Sequence, residues 1–67
     1  MENYIKGKGI LVGTFTEEEI SKNIDYQKVE EMKLKTGLKY TNTELVKKGK
    51  QIVALKIYVC TPQDIKI

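Results

Sequence analysis

The sequence predicts an α+β fold: a small single domain, residues 1–67, with two principal β-strands at about 4–15 and 50–60 packed with one or two short helices from 17–36. Three observations carry this expectation. Residues 51–60, QIVALKIYVC, alternate so that Val53, Leu55, Ile57 and Val59 share one apolar face, and their β-branched and aromatic content suits a pleated, half-buried surface. Thr16-Glu17-Glu18-Glu19 is a capping-box pattern in which a threonine hydroxyl and a glutamate three residues on satisfy each other's backbone amides. Gly37, followed by Leu38, has the form of a left-handed helix stop with its hydrophobic contact.

The elements follow in order. Over residues 4–15, Ile10, Val12 and Thr14 alternate with Leu11, Gly13 and Phe15, while Gly7 and Gly9 point to a bend or a close backbone approach before the strand. The capping box starts a helix at residue 17, with three carboxylates at the positive end of its dipole. A second helix is expected over 26–35, capped by Asp25 and stopped at Gly37. The competing reading is a strand, because Met32, Leu34, Thr36, Leu38 and Tyr40 alternate with lysines and Gly37. Thr41-Asn42-Thr43-Glu44 repeats the capping signature, which predicts a short helical turn ended by Gly49. After the final strand, Thr61 and Pro62 suit the entry to another helical turn, with Ile65-Lys66-Ile67 as an alternative extended edge.

Composition narrows the function classes. A chain of this length buries only about 60% of the surface its unfolded form exposes, and such domains usually draw on disulfides, a metal or a partner subunit. Cys60 is the lone cysteine and histidine is absent, so neither an intrachain disulfide nor a Cys/His zinc cage is expected. A homodimer is the remaining support. No apolar run approaches the roughly 20 residues that span a bilayer, and the N-terminus lacks a signal-peptide pattern. The expected location is cytoplasmic, the host's cytoplasm if the protein is viral. Catalysis is not expected, since there is no imidazole base and Cys60 lies in an apolar strand pattern that leaves a thiol inert. Glu17, Glu18 and Glu19 fan out around a helix axis and do not converge on a metal. Gly7-Lys8-Gly9 lacks the spacing of a phosphate-binding loop. No cofactor is expected.

The net charge is +3, from 12 basic and 9 acidic residues, and every basic residue is a lysine. Lysine contacts phosphate as a flexible point charge and lacks the arginine fork that most often reads base edges. Lysine, isoleucine and glutamate in excess also fit an A+T-rich genome, such as that of a low-GC bacterium, its phages or plasmids, or an archaeal virus. Two lysine clusters stand out: Lys6 with Lys8, near Tyr4, and Lys47 with Lys48 and Lys50, near Tyr58. Aromatics beside a basic groove bind single strands without sequence preference. A small regulatory protein that contacts nucleic acid through these seven residues is therefore the leading expectation. The competing class is a protein-binding inhibitor of a host or defence protein, docking by a sheet edge or apolar patch.

A second architecture comes from a resemblance. Lys35-Thr36-Gly37-Leu38-Lys39-Tyr40-Thr41-Asn42-Thr43-Glu44-Leu45-Val46 resembles the inter-helix turn and second-helix start of ribbon-helix-helix repressors. On a helix, Leu45, Gly49 and Ile52 would share a face, with Lys47, Lys50, Gln51 and Tyr58 toward solvent. The resemblance implies a dimer that pairs two short strands and lays them in the DNA major groove. In that family the strand directly precedes the first helix, whereas here Phe15 and Asp25 are well separated. The α+β reading therefore leads.

Overall fold

The computed structural model describes residues 3–65. Its elements are β1 (Ile10–Phe15), α1 (Glu17–Ser21), α2 (Ile24–Thr36), β2 (Tyr40–Lys48), β3 (Gln51–Cys60) and a 3-10 turn at Pro62–Asp64. The strands form one antiparallel sheet in the order β1-β3-β2, with the last strand at its centre. The α+β class stands.

Local chemistry sets the helix ends. Thr16 caps α1 as its sequence requires: its hydroxyl accepts from the Glu19 amide at 3.3 Å, and the Glu19 carboxylate accepts from the Thr16 amide at 3.1 Å. Asn23, in the left-handed region at φ 59°, separates α1 from α2. The second helix thus begins at Ile24, and Asp25 lies in its first turn instead of capping it. Gly37, at φ 78°, ends it and donates to the Lys33 carbonyl at 2.9 Å. Residues 26–35 are helical as expected, and the strand alternative there is excluded.

The predicted first strand is shorter than its pattern. Only Ile10–Phe15 pair with β3. Residues 5–9 instead close a tight turn, with Ile5 and Gly9 exchanging amide-to-carbonyl hydrogen bonds at 2.8 Å in both directions. Gly9 has φ 117°, and a side chain there would place its Cβ 2.2 Å from the Val59 carbonyl oxygen, so the chain can pass only as glycine. Within β1 the register shifts between Leu11 and Gly13. A bulge inserts one residue and changes the side-chain parity. Ile10 and Phe15, expected on opposite faces, therefore both reach the core.

The larger correction concerns residues 40–48. They form no helical turn; they are a nine-residue strand joined to β3 through Gly49 and Lys50. Gly49, at φ 63°, supplies the positive dihedral that a two-residue hairpin turn needs. Strand pairing thus outweighs the local capping signature. It also removes the ribbon-helix-helix alternative, because the supposed second helix is an antiparallel hairpin.

The helices cover β1 and β3 on one side. Ile10, Phe15, Val29, Leu38, Ile57 and Val59 form the core there, with Val12, Ile20, Ile24, Met32 and Leu55 packed around it. The opposite face of β3 is also buried at Tyr58 and Cys60. The residues before β1 and after β3 meet above that face. Asn42, only 6% exposed, donates from its side-chain amide to the Lys8 carbonyl at 3.0 Å and the Asp64 carbonyl at 2.6 Å. The Tyr4 hydroxyl accepts from the Thr61 amide at 3.2 Å and donates to the Asp64 carboxylate. Of the tail, Ile65 has extended dihedrals, while Lys66 and Ile67 lie outside the described residues.

Two substitutions check this arrangement by urea unfolding. Asn42→Leu removes both donated bonds and should cost about 1–3 kcal/mol through the stranded carbonyls. Gly9→Ala should cost about as much or more, because strain at a positive φ adds to the clash with β3.

Candidate nucleic-acid interface

The hairpin outruns the rest of the sheet. Phe15, the last residue of β1, pairs with Leu55, so residues 51–54 of β3 have only β2 beside them. Lys47, Lys48 and Lys50 sit at the free end of this arm, and all three are exposed. They share the hairpin tip, with Lys47 and Lys48 on opposite faces of β2.

Alternation places Lys48 on the same face of β2 as Glu44 and Val46, the face turned away from the helices. Lys56 of β3 lies directly opposite Glu44 on this face. Sequence reasoning missed Lys56. Its signal was its place in the Ala54-Lys56-Tyr58 row, where a lysine interrupts an otherwise apolar run.

The second expected cluster is different in kind. Lys6 is exposed on the N-terminal turn, but Lys8 is tied to the sheet. Its Nζ lies 3.1 Å from Glu44 Oε2 and 6.0 Å from the Tyr58 ring centroid. The Tyr58 hydroxyl donates to the other oxygen of the same carboxylate at 3.2 Å. Tyr58 is only 4% exposed, so its ring offers no face for a base. Tyr4 is part-buried against the core, and its hydroxyl is engaged by Thr61 and Asp64. The structure thus holds both tyrosines in contacts of their own, Tyr58 buried against Glu44 and Tyr4 bonded to Thr61 and Asp64.

The electrostatics of the Lys8–Glu44–Tyr58 group follow from its contacts. The hydrogen bond from Lys8, then that from Tyr58, holds the Glu44 carboxyl below its ordinary value. The same bond to Glu44 raises the Lys8 ammonium. Burial raises the Tyr58 phenol, and its bond to Glu44 adds to the effect. Burial also pushes the Cys60 thiol up, with Asp64 contributing, so Cys60 stays a neutral core residue. Among the described residues no group of three or more Cys, Asp or Glu side chains is placed to hold a metal ion. No helix among them is long and apolar enough to cross a membrane.

Charge is unevenly divided between the layers. Residues 17–36 hold six carboxylates, Glu17, Glu18, Glu19, Asp25, Glu30 and Glu31, against Lys22, Lys28, Lys33 and Lys35. The hairpin holds Lys47, Lys48, Lys50 and Lys56 against Glu44 alone, and Lys8 already pairs with that carboxylate. The arm is a basic projection from a body whose helical side is acidic.

Because the Glu44 carboxyl is depressed in the folded state, its contribution is complete above the unfolded carboxylate value and is lost as pH falls through the folded one. Thermal unfolding should therefore show a decline below about pH 4.3 that is smaller in Glu44→Gln. Lys8, raised by the same contact, contributes below the ordinary lysine range and loses that contribution at strongly alkaline pH.

No protein-family profile, no curated protein and no solved structure matches the chain, so its site rests on its own residues.

Proposed function

We propose that this chain is a small non-enzymatic regulatory protein, acting in the cytoplasm, that contacts nucleic acid through the lysines of its β2–β3 arm. The observation that carries the reading is the segregation of charge just described. Three lysines lie on a projecting two-stranded ribbon, a fourth, Lys56, lies on the sheet at its base, and the one carboxylate of the hairpin is already paired. A two-stranded ribbon fits the roughly 12 Å major groove of a duplex. Lysine ammoniums along it contact phosphate and carry little base preference. Lys48, Lys50 and Lys56 are the principal contacts, and Lys6 adds charge from the N-terminal turn. Neither Tyr4 nor Tyr58 contributes a stacking platform, which favours a duplex over a single strand.

A second reading has its own support. Leu45, Ile52 and Val53 are exposed beside a free sheet edge, a surface suited to docking on a host or defence protein. Salt separates the two. Fluorescence anisotropy with labelled duplex and single-stranded DNA and RNA should show duplex binding that falls steeply with salt, at a log–log slope of about −0.9 per phosphate neutralised. Lys48→Gln and Lys50→Gln should each reduce that slope by about one. Absent or salt-insensitive binding hands the case to the protein-partner reading.

A further inference from the structure

The helix-side surface of the arm is apolar and open. Phe15, Ile20, Leu45, Ile52, Val53 and Leu55 line a groove between the hairpin and α1. Leu45 is 51% exposed, Ile52 59% and Val53 44%, so three large apolar side chains meet water side by side. The register places them together. Leu45 faces Leu55, Lys47 faces Ile52, and the shift beside Lys47 leaves Val53 as the extra residue on the bulged strand.

The two sides of this patch carry opposite charges. Lys47 stands on the β2 side near the tip, on the same face as Leu45 and opposite Ile52. Glu17, in the first turn of α1, lines the groove on the side where β1 ends. Neither side chain takes part in any salt bridge among the described residues, whereas Glu18 is bound by Lys22 and Glu19 by its cap. An apolar groove with a cation on one side and an anion on the other is complementary to a copy of itself turned through a two-fold axis. In such an isologous contact each residue pair occurs twice.

We infer that this groove is the interface of a two-fold homodimer. Leu45, Ile52 and Val53 of each copy meet at its centre, and Glu17 of each copy faces Lys47 of the other. The second copy also supplies what a short chain with a small core and no disulfide lacks. Lys48 and Lys56 lie on the opposite face of the sheet and stay free, so the dimer presents two basic arms. This inference is independent of nucleic-acid binding and can hold where that fails.

Sedimentation equilibrium of the full chain, without nucleic acid, tests it. The protein should be a dimer that dissociates on dilution. Ile52→Glu places a carboxylate in the apolar centre twice per dimer and should weaken association at least about tenfold. Circular dichroism should be unchanged, because Ile52 is mostly exposed. Glu17→Lys and Lys47→Glu should each weaken association through like-charge contacts, and the double charge swap should restore it to within about twofold. That rescue decides the matter even if Ile52→Glu fails to fold. A wild-type monomer at every concentration, or a dimer indifferent to both charge reversals, overturns the inference.

Discussion

The structure depends on one side chain, the amide of Asn42. It is buried in a chain whose other buried side chains are almost all apolar, and it reaches backbone on both flanks of the sheet. Each carbonyl it satisfies belongs to a segment with little regular structure of its own, the turn before β1 and the turn after β3. Removing a buried partner from a carbonyl costs far more than a solvated hydrogen bond is worth. Asn42 therefore decides whether the ends of the chain cover the second face of β3. With them in place, Tyr58 and Cys60 are interior residues. The resulting core has two sides, a helical one and a thinner one built from the chain's own ends.

This covering also governs which lysines face outward. Folding the N-terminal turn over the sheet brings Lys8 against Glu44 and neutralises the only carboxylate of the hairpin. Glu44 would otherwise sit among lysines and cancel part of their field. An exposed ion pair of this kind adds little stability. Its larger effect is on the distribution of charge, because it leaves the arm uniformly basic. The acidic residues gather on the helices, where a first turn favours them. The polarity of the surface thus arises from local helix chemistry on one layer and a single neutralised carboxylate on the other.

Much of the architecture was legible from residues alone, and the failures have physical causes. The capping box at Thr16, the helix stop at Gly37 and the strand at QIVALKIYVC are strong local signals, and each appears as read. Strand β2 was missed because its buried side is Asn42, Glu44 and Val46 while Leu45 faces water, which inverts the usual pattern of an amphipathic strand. Its Thr-x-x-Glu run imitates a helix start, and only pairing with β3 overrides that. The core face of β1 was misassigned because a bulge is invisible to strict alternation. At the candidate site the lysines of the arm were identifiable by clustering. The burial of Tyr58 was not, because it depends on a turn formed some fifty residues earlier in the chain.

The strand order has a consequence for synthesis. Strand β1 has no partner except β3, and Phe15 must wait for Leu55 before it is paired. While the chain emerges from the ribosome, its first strand has nothing to join, and only the helices can form early. Closure of so long a loop precedes any reward from sheet formation. Strand β3 and the turn that follows it both complete the sheet and close its second face. Sheet assembly thus waits for β3, and a nascent chain halted before residue 55 would leave β1 without its ladder.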